Sequence, residues 1–175
     1  MKKNCYLCTL ARGISMILLA VMLCASIASC SDGGSGGDAT GYSVTVAGKE
    51  LTADMLMSDV KEALGSTYEV RESQACPPFS GTERLYDFSS LQVTTYEEDG
   101  KERVMVIFLK DESANASGVT IGSTVDEMKT ALGEEYSMLG TGTYVYTAKD
   151  GSVLKCGVMN DAVRSITLTT EKADD

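Results

Sequence analysis

One stretch that occurs twice constrains this chain more than any other feature. Residues 120–133 (TIGSTVDEMKTALG) repeat, in weaker form, residues 52–65 (TADMLMSDVKEALG). Thr, Lys, Ala, Leu and Gly recur at a constant offset of 68, and Tyr136 follows the second copy as Tyr68 follows the first. Both copies place apolar residues at helical spacing (Met57, Val60, Leu64 and Val125, Met128, Leu132) and stop on a glycine suited to a left-handed C-cap. This predicts two short amphipathic helices from one repeated unit. The first runs over 55–64; the second is capped by Ser123, with Asp126 as its partner in a box-like pair.

Strand patterns fill most of what lies between. Tyr42, Val44 and Val46 alternate as on a half-buried strand, and Gly48-Lys49 supplies a turn. Residues 68–71, 85–89, 91–97, 103–110, 144–147, 153–158 and 163–169 read as further strands, with turns at Asp99-Gly100, Lys149-Asp150-Gly151 and Asn160-Asp161. Residues 104–109 have no polar face and read as a strand covered on both sides. Residues 74–83 hold Cys76 and both prolines, Pro77 and Pro78, so they read as loop or sheet edge. Residues 111–118 read as a polar joint. One copy of about 60 residues buries too little surface to be stable alone. The expected fold class is therefore α+β: two tandem helix-plus-antiparallel-strand repeats, 42–112 and 118–170, sharing one curved sheet with both helices on one face. They form a single domain, 42–175, with a fraying acidic tail.

The first 29 residues are a different kind of segment. Lys2, Lys3 and Arg12 precede an almost wholly apolar run, 14–28, which is the pattern of a secretory signal and too short to read well as a spanning helix. The run ends in Ile27-Ala28-Ser29-Cys30, which resembles the lipobox of bacterial lipoproteins. That resemblance implies transfer of diacylglycerol to the Cys30 thiol, cleavage before it, and a protein lipid-anchored to the outer face of a bacterial membrane, in the cell envelope. An ordinary signal peptide is the competing reading. Two or three acyl chains, at about 0.8 kcal/mol per buried methylene, would anchor the chain stably. Residues 30–41, rich in Gly, Ser and Asp, read as the lipidated cysteine and a flexible linker.

Charge and cysteines narrow the partners. From Cys30 onward the chain carries all 25 acidic residues against 12 basic ones, because Lys2, Lys3 and Arg12 lie before it, for a net charge of −13. Such a surface repels nucleic acid phosphates, so no nucleic acid partner is expected. Cys5, Cys8 and Cys24 leave with the signal, and Cys76 and Cys156 remain. They are either a disulfide, worth about 4 kcal/mol in the chain-entropy model, or two separate thiols, and spacing does not decide between them.

Catalytic chemistry finds little to work with. The absence of histidine removes the commonest general base and metal ligand. Ser58-Asp59-Val60-Lys61 matches Ser-x-x-Lys, yet the companion motifs of penicillin-binding enzymes are missing and the second copy has Asp126 in place of Ser58. Glu97-Glu98-Asp99 lacks calcium-loop spacing, and Gly140-Thr141-Gly142 lacks the setting of a phosphate cradle. No catalytic residue, metal site or cofactor is expected. Tyr86, Phe88, Tyr96, Tyr144 and Tyr146 fall on predicted strands in both copies. They are the expected binding surface if one sheet face is bare, with core or edge packing as the competing reading.

Residues 121–133, Ile-Gly-Ser-Thr through Met128 to Leu132-Gly133, resemble the helical signature of small envelope lipoproteins of the SmpA/OmlA type. The duplicated helix-then-strands unit is similar to the secreted β-lactamase inhibitor protein family. Ala75-Cys76-Pro77-Pro78-Phe79-Ser80-Gly81 before Tyr86-Asp87-Phe88 looks like the cysteine loop of another group of bacterial lipoproteins. The first copy departs from the signature at Ala53-Asp54-Met55. The resemblance implies a fold and a compartment, and a role in binding an envelope or secreted protein rather than in chemistry. The expectation is a membrane-anchored, non-catalytic binding module, with an envelope scaffold or an inhibitor of a secreted enzyme as alternatives.

Overall fold

The computed structural model describes residues 39–75, 79 and 81–173. The expected signal segment, Cys30 and Cys76 lie outside them. In chain order the described residues form β1 (Ser43–Val46), β2 (Lys49–Thr52), α1 (Met57–Leu64), β3 (Glu69–Gln74), β4 (Thr82–Asp87), β5 (Leu91–Glu98) and β6 (Lys101–Leu109). There follow β7 (Ala114–Ala116), α2 (Val125–Leu132), β8 (Ser137–Leu139), β9 (Thr143–Thr147), β10 (Ser152–Met159), β11 (Ala162–Thr170) and a short 3-10 turn, Glu171–Ala173. The strands make a three-stranded sheet, β2-β1-β7, and an eight-stranded sheet, β3-β4-β5-β6-β11-β10-β9-β8. Every pairing in both is antiparallel.

This corrects the expected α+β class. The described residues are mostly β, 52% strand against 14% helix, and do not form two helix-plus-strand repeats with both helices on one face. The reason is one of size. Each helix has eight residues, so it spans only about 12 Å, whereas eight strands at about 4.8 Å make a sheet over 30 Å wide. Segments expected to be turn, joint or loop are strand instead. Lys49–Thr52 and Ala114–Ala116 flank β1 in the small sheet and β4 begins at Thr82, while Ser137–Leu139, where no element was expected, edges the large sheet.

A single core gathers side chains from both sheets and both helices. Val44 and Leu51 of the small sheet, Met57 and Val60 of α1, and Met128 and Leu132 of α2 meet Val93, Ile107, Leu154 and Leu168 of the large sheet. The helices are set differently at their starts. Thr124, not Ser123, caps α2. Its hydroxyl accepts from the Glu127 N–H while the Glu127 carboxylate accepts from the Thr124 N–H, a complete capping box. Ser123 is used elsewhere, accepting from the Thr120 N–H. The first helix starts at Met57, and its N-cap, Leu56, supplies no side-chain bond.

Residues 104–109 are not covered on both sides. Val104, Ile107 and Leu109 are buried, Met105 and Val106 half-buried, and Phe108 exposed. A register shift between Thr94 and Thr95 accounts for the break in alternation, since Thr94 pairs with Val106 and Thr95 with Val104, leaving Met105 bulged. The chain enters this body at the β9–β10 turn. There the Lys149 and Asp150 N–H groups donate to the carbonyls of Ala39 and Thr40 (both 3.1 Å), and the Tyr42 N–H donates to Ser152 Oγ (2.8 Å).

Candidate functional site

The expected tyrosine surface lies inside the molecule. Tyr86, Phe88, Tyr96 and Tyr146 are buried, and Tyr144 is half-buried. Two aromatic clusters hold four of the five, and Tyr96 packs separately on Phe79 (ring centroids 4.6 Å) with its hydroxyl donating to Asp54 Oδ1 (2.6 Å). Tyr68 meets Tyr86 edge-on (ring centroids 5.1 Å) and Phe88 at a tilt (5.2 Å), and Tyr136 meets Tyr144 (4.8 Å) and Tyr146 (5.7 Å) at a tilt. A helix lysine stands over each cluster, Lys61 4.5 Å from the Tyr86 ring centre and Lys129 5.2 Å from that of Tyr136. The recurring Lys and Tyr of the two sequence copies thus serve packing. Burial raises the Tyr146 hydroxyl above its ordinary titration range.

Glu102 ties the first cluster together. It accepts from the hydroxyls of Tyr86 (2.8 Å) and Thr95 (2.7 Å), and lies 3.6 Å from Lys61 and 3.7 Å from Arg84. Burial pushes its carboxyl up, but the Thr95 and Tyr86 bonds and the Lys61 and Arg84 charges outweigh it and leave the group below its ordinary range. Burial likewise opposes charge on Lys61, and the Tyr86 hydroxyl and Glu102 outweigh it, raising the ammonium. Ser58 donates to its neighbour Asp59 (3.2 Å), so Ser58 and Lys61 are engaged apart from each other. Cys156 is a buried thiol, free among the described residues, whose titration burial pushes up to about 12. Its suggested partner, Cys76, is outside the described residues. Among those residues no group of three or more His, Cys, Asp or Glu is placed to hold a metal ion.

What the sequence did not flag is the second face of the large sheet. Cross-strand pairing aligns Leu85, Thr94, Val106, Thr169, Val153 and Thr147 in one row across β4-β5-β6-β11-β10-β9. A second row runs Asp87, Gln92, Phe108, Thr167, Lys155, Val145 and on to Ser137 of β8. None of the apolar members (Leu85, Val106, Phe108, Val145, Val153) joins the core or its partly buried margin. Val153 and Thr169 are buried in mid-row, while Phe108 is 38% exposed and Leu139, beside Thr143 on the same side, is 62% exposed. Alternation in β6 carried the signal for Phe108, but the bulge at Met105 hid it within an unbroken apolar run.

Fold and surface together define a mostly-β protein with one sheet face given to its core and the other bearing valine, threonine and one open aromatic ring. No family model, curated relative or solved structure matches the chain.

Proposed function

We propose that this chain is a non-catalytic binding module of the bacterial cell envelope, held at a membrane by lipid on Cys30, and that it docks a protein on the second face of its large sheet. The observation that carries the reading is the Phe108 row. Phe108 lies there between Gln92 and Thr167, and the row beside it carries Leu85, Thr94, Val106, Thr169, Val153 and Thr147 across six strands, with none of its apolar members in the core. An aromatic residue amid β-branched neighbours, rimmed by Asp87, Gln92 and Lys155, has the make-up of a protein-recognition patch. The net charge of −13 from Cys30 onward, 25 acidic against 12 basic residues, keeps nucleic acid off and favours a partner with basic groups at the contact. Catalysis is not part of the proposal, since the Ser-x-x-Lys pair is not assembled.

Photo-crosslinking in cells tests it, with a benzophenone side chain placed at Phe108 or, as control, at Glu97 in the β5–β6 hairpin. The expected outcome is a discrete protein adduct from position 108 that is lost when Leu139→Asp is added. Equal labelling from both positions, or none from 108, would remove the docking face. Cys30→Ala should move the protein from the membrane to the soluble fraction, and unchanged partitioning would remove the anchor.

A further inference from the structure

A cleft of about 680 Å³ opens between the β1–β2 turn, the end of α1 and the β4–β5 turn. Val46, Leu64, Tyr68, Phe88 and Leu91 give it apolar walls, and Lys110 stands at its rim. Thr67, Glu69, Asp87, Ser89 and Ser90 add to the lining, and the volume with its mixture of apolar wall and polar rim suits a small ligand or a single inserted side chain. None of these five wall residues belongs to the Phe108 row.

Lys110 narrows the ligand. Its ammonium donates to Asp87 Oδ1 (2.8 Å) and to the Phe88 carbonyl (2.8 Å), and its backbone N–H donates to the Ser90 carbonyl (2.9 Å). Among the described residues Asp87 and Phe88 take two of the three ammonium protons, so the group can still donate once more at the edge of the cleft. Asp87 and Glu69 also line the cleft, and the chain as a whole is strongly acidic, so a full anion is repelled while a neutral acceptor is not. An amide carbonyl is the common neutral acceptor that comes joined to an apolar side chain. We infer that the cleft takes one apolar residue of a polypeptide segment, its side chain between Leu64 and Phe88 and its carbonyl accepting from Lys110.

Saturation-transfer NMR on the full-length protein in lipid nanodiscs tests this site independently of the sheet face, with empty nanodiscs as the blank. The probes are N-acetyl-leucinamide, N-acetyl-glycinamide, which lacks the side chain, and decanoate, an acyl anion without the amide. Transfer to the leucinamide methyls is expected, with little to the other two. Lys110→Met should cut it about tenfold through loss of a charge-assisted bond, and Ala63→Phe, which fills the cleft, should abolish it. Melting curves show whether each variant folds; if Ala63→Phe does not, the exposed Lys110→Met carries the test. Preference for decanoate would mean a lipid-binding cleft and overturn the proposal. So would absence of transfer, or transfer that Lys110→Met leaves unchanged.

Discussion

Gly65 and Gly133 end their helices with positive φ (82° and 88°) but extended ψ (−171° and −175°), not in the left-handed helical geometry the sequence suggested. That region is essentially closed to residues with a Cβ. At Gly65 nothing lies within 4 Å of where a Cβ would stand, so any cost of Gly65→Ala is backbone alone. Denaturant unfolding should show a loss of about 1–3 kcal/mol; a neutral effect would mean the backbone is not held there. Glu102 makes a second prediction at this scale. Its folded titration lies below the ordinary 4.5, so it stabilises above that value, and the contribution is lost as pH falls through the folded one. Melting temperature should therefore drop on acidification, and Glu102→Gln should flatten that drop. Parallel curves for the two proteins would contradict the hub role.

At the scale of elements, the helices show what a repeated pattern can and cannot say. Recurrence at an offset of 68 places α1 and α2 at the same point of each copy, Met57–Leu64 and Val125–Leu132. Yet only α2 carries a capping box. Thr124→Ala should cost about 0.5–2 kcal/mol in a urea melt, and a change within error would show that the box adds nothing. The helices and long strands were legible because their apolar spacing survives over six or more residues. The rest was not, for physical reasons. Ser137–Leu139 is too short to alternate, Ala114-Asn115-Ala116 has no strand propensity, and β3, read as a strand only over 68–71, runs on to Gln74 with all six positions exposed and no apolar face to mark its end. Tyrosines on strands were legible as aromatic, but strand register sets which way they face and Tyr68, Phe79 and Tyr136 cover them, and both are tertiary facts.

At the scale of the whole molecule, the central feature is a broad antiparallel sheet that spends one face on the core and withholds the other. The sequence suggested a sheet shared between the two copies, but not the separate β2-β1-β7 sheet, whose Val44 and Leu51 complete the core. Nor did it separate the two faces, because β6 reads as continuous apolar residues and its bulge shifts the alternation. Adjacent residues on that strand now face opposite ways, Ile107 fully buried and Phe108 exposed. Comparing Ile107→Ala with Phe108→Ala by equilibrium unfolding tests this most directly. The structure predicts a loss of about 2–5 kcal/mol for Ile107→Ala and less than about 1 kcal/mol for Phe108→Ala. Equal losses, or a larger one at Phe108, would contradict it.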